Sequence, residues 1–201
     1  MMTPFARRFA RSLFMTIVLL LGAGWVAASH AAGWDIDQLM DSLAQVRSGH
    51  ASFVEKKSIA MLDQPIESSG ELFYTAPDRL EKRTIEPKPE TMVVDGNHLL
   101  IDRGAQKYHL QLQDYPELAA FIDSVRGTLA GDRKALERSY DLSLEGSVQN
   151  WTLQLVPVSA KMKQVVARIR IAGVGDEIRS IDITQADGDS SQMRIQKLTT
   201  P

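Results

Sequence analysis

Residues 70–96 constrain the fold more than any other stretch, because apolar and polar side chains alternate there between residues that interrupt strands. Alternation with a period of two is typical of strands that bury one face. Prolines at 77, 87 and 89 cannot lie in a central strand, and the Asp-Gly pair at 95–96 is a hairpin signal. The stretch therefore predicts three strands of an antiparallel meander, with residues 98–102 as the returning strand.

The first 31 residues predict a secretory signal peptide rather than part of the fold. Arginines at 7, 8 and 11 form a basic start, residues 13–26 are an apolar run, and small residues at 29 and 31 suit a signal peptidase. The run is short for a transmembrane helix, which needs about 20 apolar residues. We expect cleavage after Ala31, export to the periplasm by the general route, and a single soluble domain from residue 32 to residue 201.

The composition after cleavage excludes several classes of protein. Cleavage removes three of the 23 basic residues and none of the 25 acidic ones, which leaves 20 against 25 and a net charge of -5. A mildly acidic chain without a basic patch binds nucleic acid poorly, because phosphate contacts need clustered Lys and Arg. The absence of cysteine excludes disulfides and a lipid anchor on an N-terminal cysteine.

Helices are predicted on both sides of the meander. The first runs from Asp35 to Arg47, because Asp35 and Gln38 form a capping-box pattern and the Ser-Gly pair at 48–49 suits its end. Pro116 suits the first turn of a second helix. The other elements flanking the meander are predicted at residues 51–60 and 104–112 for strands, and at 115–129 and 131–136 for helices.

A second block of alternating residues runs from 142 to 196. Its expected inward positions include Val165, Ala167, Ile169 and Ile171. The whole chain then has about ten strands and too few helices to cover a flat sheet. We therefore expect an α+β fold, mainly β, in which a strongly curved antiparallel sheet forms an incomplete β-barrel with helices covering its mouth.

No motif points to catalysis or to a metal site. The sequence has no cysteine nucleophile and no G-x-S-x-G elbow. His50, His98 and His109 have no second ligand at metal-site spacing, so we expect ordinary strand or surface histidines. Scattered acidic residues suit turns, although a glycosidase-type carboxylate pair stays open. The expectation is a protein without enzymatic activity, cofactor or metal.

The positive signal is an apolar face shared by successive strands. Its members by strand parity are Phe53, Leu72, Tyr74, Leu80, Met92, Val94, Leu99 and Ile101. The helix at 115–129 offers them an apolar stripe that includes Leu118, Phe121 and Ile122. We treat these residues as candidates for ligand binding. The pattern leaves open a filled core and a cavity for an apolar ligand, because both bury one face.

Two charged residues share this face and are also candidates for ligand binding. Glu55 follows Phe53 by two residues and Lys82 follows Leu80 by two, so both are predicted to point to the concave side. A charge there is costly unless it is paired or hydrated. We expect the two to pair, and the alternative is that both reach solvent near strand ends.

The order of these motifs resembles the LolA family of periplasmic outer-membrane lipoprotein carriers. The motifs are an N-terminal helix before Ala51-Ser52-Phe53-Val54-Glu55, then Gly70-x-Leu72, Pro77, residues 90–94 and the Asp-Gly pair before an apolar strand. The Asp-Gly-Asp turn at 187–189, before a strand with Met193 and Ile195, resembles a LolA-related branch found among polyene and lipid-export genes. The resemblance covers essentially all of the mature chain.

The resemblance implies an incomplete barrel that shuttles acylated cargo from an inner-membrane transporter towards an outer-membrane acceptor, without catalysis or cofactor. Ala76 stands where the family has an arginine tied to lid opening, and Lys82 where lipoprotein carriers tend to have a large aromatic residue. The chain also lacks their C-terminal extension. The expected cargo of this monomeric carrier is therefore a lipid, a lipoprotein or a polyene-type chain. The alternative function is a non-transporting adaptor that docks on an inner-membrane lipid exporter.

Overall fold

The computed structural model describes residues 34–198, which form one antiparallel sheet of eleven strands with helices packed against it. The strands are β1 Ser48–Ser58, β2 Ile66–Thr75, β3 Arg79–Glu86, β4 Glu90–Asp95, β5 His98–Arg103, β6 Gln106–Gln111, β7 Tyr140–Ser147, β8 Asn150–Pro157, β9 Val166–Val174, β10 Glu177–Gln185 and β11 Ser190–Lys197. The helices are α1 Ile36–Ala44, α2 Pro116–Leu129, α3 Arg133–Glu137 and α4 Ala160–Lys163, with a single 3-10 turn at Leu112–Asp114.

The strand order makes the sheet an incomplete barrel. It runs β6-β5-β4-β3-β2-β1-β11-β10-β9-β8-β7, so that β6 and β7 are the two edges and are not paired with each other. The first and last strands pair in the middle, where Phe53 lies opposite Ile195. This pairing joins the two predicted blocks of strands into one sheet, and it confirms the predicted fold class with eleven strands instead of about ten.

Helix α1 begins as predicted but ends three residues early. Asp35 accepts a hydrogen bond from the Gln38 amide at 2.9 Å, and the Gln38 side chain accepts one from the Asp35 amide, which completes the capping box. The helix ends at Ala44, not at Arg47. Ser48 already pairs with Thr75 of β2, because ladder hydrogen bonds to a long neighbouring strand outweigh one more helical turn.

Helix α2 ends where the glycines require it. Gly131 has φ +65° and donates to the Thr128 carbonyl, while Asp132 donates to the Gly127 carbonyl, which is the Schellman arrangement. A Cβ at Gly131 would lie 2.1 Å from the Met40 carbonyl oxygen of α1. The C-terminal end of α2 is therefore packed closely against α1 and α3.

The inward positions predicted at the start of β9 are wrong. Val165 and Ala167 are exposed, whereas Val166, Ile169 and Ile171 are buried. The register explains this, since Thr184 pairs with Arg168 but Gln185 pairs with Val166, so a bulge leaves one residue unpaired. A bulge reverses strand parity beyond it, and Val165 lies in the turn that follows α4, a helix that the pattern did not predict.

Two clusters of buried side chains lie on the same side of the sheet. The larger one joins α1 to β7–β11 and includes Trp151, Leu153 and Ile171, which are fully buried. The smaller one lies between α2 and β4–β6 and contains Val94, Leu99, Leu112 and Ile122. Phe121 of α2 packs against both clusters, which is possible because the sheet curves around this helix.

The predicted signal peptide and its cleavage site lie outside the described residues. Between residues 34 and 198, no helix combines the length and the apolar character needed to cross a bilayer.

Candidate functional site

The strand residues predicted to share one face do share it. Two rows of cross-strand partners run over this half of the sheet: Tyr74, Leu80, Val94, Leu99 and Leu110 in one, and Ala51, Leu72, Lys82, Met92, Ile101 and Tyr108 in the other. Directly opposed residues point to the same side of a sheet. Phe53 and Glu55 follow Ala51 at intervals of two, so they lie on this side as well. It is the side that faces α2.

Helix α2 covers the first of these rows more completely than the second, although Met92 and Ile101 of the second row border the same cluster. Tyr74, Val94 and Leu99 are buried, and the candidates on the helix contribute to the cover: Ile122 is buried, and Leu118 and Phe121 pack against the cluster. The cluster therefore fills one end of the concave face as an ordinary core.

The second row stays partly open. Leu72, Met92 and Ile101 are half-buried, and Tyr108 is 42% exposed. We call these four residues the apolar strip. On the other half of the same face, Leu153 and Ile171 are fully buried. The contrast shows that apolar surface inside the curve of the sheet is covered at β8 and β9 but left accessible at β2–β6.

The predicted contact between Glu55 and Lys82 is present. The Lys82 Nζ lies 2.5 Å from a Glu55 carboxylate oxygen and 4.7 Å from the centre of the Phe53 ring. Ser191 of β11 donates to the other carboxylate oxygen at 2.6 Å, and the Lys57 Nζ lies 3.6 Å from that oxygen. Glu55 is 4% exposed, so a buried carboxylate is compensated by several donors.

These donors keep Glu55 ionised. Burial of its carboxyl group raises the pKa, but the hydrogen bonds from Lys82 and Ser191 and the charge of Lys57 outweigh burial, so the pKa lies below its ordinary value of 4.5. The site therefore carries a fixed negative charge next to a lysine that is 23% exposed.

Gly70 explains how residues on β1 and β3 meet across the strand between them. It lies opposite Phe53 on the concave side, so no side chain of β2 stands between the Phe53 ring and Lys82. A Cβ there would also lie 1.9 Å from the Arg83 carbonyl oxygen. The glycine thus permits both the close approach of β3 and the reach of Lys82.

Several contributors to the site were not predicted from the sequence, among them Ser191, Tyr108 and Arg126. Ser191 is 136 residues from Glu55 along the chain, and no local pattern could have joined them. Tyr108 could have been placed by extending the parity of β5 through the turn at Gly104. Arg126 of α2 donates to the Gly96 carbonyl at 2.5 Å and fastens the helix to the β4–β5 turn.

The histidines form no common site. His50 stacks on Phe73 with ring centres 4.4 Å apart, and the His98 Nδ1 lies 3.1 Å from the Gln111 amide nitrogen. Within the described part of the chain, no three His, Asp or Glu side chains are grouped so as to hold a metal ion.

Comparison with known proteins finds similarity to LolA-like proteins. Residues 27–197 match the family model described as "Outer membrane lipoprotein carrier protein LolA-like". A relative from Dechloromonas aromatica (strain RCB), named outer-membrane lipoprotein carrier protein, is 23% identical over 164 residues, which are 81% of this chain and 76% of the relative.

Solved structures of similar proteins are more distant. A LolA superfamily protein from Nitrosomonas europaea has a TM-score of 0.45 and 11% identity, over 83% of this chain and 93% of that one. The lipoprotein LppX from Mycobacterium tuberculosis has a TM-score of 0.44 and 9% identity, over 80% of this chain and 91% of that one.

Proposed function

Because the chain belongs to the LolA-like family of outer membrane lipoprotein carrier proteins, we propose that it is a periplasmic carrier of apolar cargo. The cargo is a lipid, a lipoprotein or a polyene-type chain, and it binds on the concave face of β1–β6. The carrier takes its cargo from an inner-membrane transporter and delivers it towards the outer membrane. Binding and release make up the whole cycle, and no chemical step is required.

The partly open apolar strip is the observation that carries this proposal. Leu72, Met92 and Ile101 point into the curve of the sheet but stay half-buried. When an apolar chain covers this accessible apolar surface, both are removed from water, and the free energy falls. Burial of one CH₂ contributes about 0.8 kcal/mol, so about a dozen give ~10 kcal/mol before the costs of association. The free energy gained by burying one acyl chain is therefore large enough to support binding.

Uptake of an uncharged apolar dye tests the proposal. Nile red should bind the wild-type protein and be displaced by hexadecanol. Ile101→Glu should weaken the affinity for Nile red and for hexadecanol by about tenfold or more, because a carboxylate would have to be desolvated beneath the bound ligand. Leu100→Glu is the matched control, since Leu100 is a half-buried neighbour on the same strand that points to the opposite face.

The outcome also separates carrier from adaptor. Equal effects of the two substitutions would place binding elsewhere on the protein. A wild-type protein that takes up neither dye nor hexadecanol would contradict the carrier and favour the non-transporting adaptor on an inner-membrane lipid exporter.

A further inference from the structure

A lysine interrupts the otherwise apolar row on the concave face. Lys82 lies directly between Leu72 on β2 and Met92 on β4, both half-buried. Its side chain is 23% exposed, so its ammonium group is partly desolvated yet accessible from the open part of the face. A charged group in such a place is costly unless it is paired, hydrated or bound to a ligand.

Glu55 would remain compensated if Lys82 moved away from it. The Ser191 hydroxyl would still donate to one oxygen at 2.6 Å, with Lys57 at 3.6 Å and the Ser68 hydroxyl at 3.5 Å from the other oxygen. Lys57 is about half exposed and can approach more closely. The pair between Lys82 and Glu55 can therefore open without leaving a buried carboxylate alone.

From this arrangement we propose that Lys82 binds the anionic head group, a carboxylate or a phosphate, of a single-chain amphiphile held on the apolar strip. The inference rests on the proposed carrier function and deepens it by naming the class of cargo. The chain crosses β4, β5 and β6 over Met92, Ile101 and Tyr108. Three steps between strands of about 4.8 Å give a track of roughly 14 Å, which accommodates the first part of a long acyl chain.

Glu55 acts in this scheme as an internal competitor and as a positioning residue. It holds the ammonium group of Lys82 at 2.5 Å, above the Phe53 ring. An incoming anion must replace this carboxylate as the partner of Lys82. The preference for an anionic head group is therefore smaller than an unpaired lysine would give, and it increases when Glu55 loses its charge.

The test compares ligands that share one chain and differ in charge. Dissociation constants are measured for hexadecanol, hexadecanoate and hexadecyl phosphate by displacement of Nile red at pH 8. Lys82→Met keeps an unbranched stem over Phe53 but removes the charge. It should weaken both anions by about ten- to a hundred-fold, the range for one hydrogen bond to a charged group. Hexadecanol affinity should stay within about twofold, which also verifies that the variant is folded.

A second substitution should change the affinity for anions in the opposite direction. Glu55→Gln should strengthen anion binding by about three- to tenfold, because the head group no longer competes with a carboxylate. A purely structural ion pair would make both substitutions weaken all three ligands alike. Lys56→Met is the matched control, since Lys56 is the neighbour of Glu55 on β1 but points to the opposite face and pairs with the exposed Glu67 at 2.7 Å, and the substitution should change anion affinity little.

The outcomes distinguish the two proposals. If the wild type binds hexadecanol but Lys82→Met changes anions and alcohol equally, the head-group site is overturned while the carrier stands. If the wild type binds none of the three, the carrier fails and the head-group site fails with it. Inorganic phosphate and acetate should not displace the anionic amphiphiles at millimolar concentration; displacement by either would show a free-anion site instead.

Discussion

At Glu55, hydrogen bonds and burial act in opposite directions on one carboxyl group. Burial favours the neutral acid, whereas Lys82, Ser191 and Lys57 favour the anion. The donors prevail, and the folded protein holds the proton less tightly than the unfolded chain does. The ionised pair therefore stabilises the fold at neutral pH, although it lies on a face that is otherwise apolar.

The pH dependence of stability checks this balance. The folded-state pKa of Glu55 lies below 4.5, so its contribution is complete above about pH 4.5–5 and disappears as the pH falls through the folded value. The difference in free energy of unfolding between wild type and Glu55→Gln, from urea titrations, should be constant from pH 7 to 5 and shrink towards pH 3. The control is Glu145→Gln, because Glu145 is an exposed residue of β7. A difference that stays constant down to pH 3 would contradict the assignment.

Among the elements, α2 is attached to its neighbours at its C-terminal end. Its C-terminal end is closed by Gly131 and packed against α1, while Gly127 lies against Leu136 of α3. Both glycines thus serve the close packing of α2 against its neighbouring helices. In the last turn of the helix, Arg126 donates to the carbonyl of Gly96 and fastens this end to the β4–β5 turn. A lid movement of α2 would have to release this hydrogen bond.

Hydrogen exchange of the α2 amides tests the helix as a movable lid. We expect faster exchange at 118–125 than in β8 and β9 of the empty protein, and slower exchange when hexadecanol is bound. Arg126→Met should accelerate exchange in α2, because its attachment to the β4–β5 turn is lost. Arg168→Met, an exposed substitution on β9, should not. Core-like protection with and without hexadecanol would contradict the lid.

At the scale of the whole fold, the two halves of the concave face differ in how completely they are covered. Helix α1 and strands β7–β11 enclose a dry core in which Trp151 and Leu155 are fully buried. Strands β2–β6 are covered by α2 and Leu112 of the 3-10 turn, and the apolar strip stays partly accessible. The packed half provides the stability that allows the other half to stay partly unfilled.

Export of the whole chain is tested at its N-terminus. We expect the mature protein to begin at Ala32 and to be recovered from the soluble periplasmic fraction, because a short apolar run follows a basic start and precedes small residues. N-terminal sequencing of the exported protein is the measurement. An uncleaved N-terminus recovered with membranes would contradict the prediction.

Local chemistry was enough to predict which face each residue of β1–β5 occupies. Side chains of a regular strand alternate with a period of two, so Phe53, Leu72 and Met92 could be assigned to one side. The capping box of α1 and the first turn of α2 are equally local. Parity failed at Val166 because a bulge depends on how the neighbouring strand pairs, not on the residues of β9 alone.

Burial depended on contacts that no local pattern contains. Leu99 and Ile101 belong to the same face of the same strand, yet Leu99 is buried and Ile101 is half-buried, because the cluster under α2 encloses Leu99 and only borders Ile101. Ser191 reaches Glu55 only because β11 pairs with β1. Periodicity is a property of the backbone and can be read along the chain, whereas burial is set by whatever lies opposite, and here the partners come from the far end of the chain.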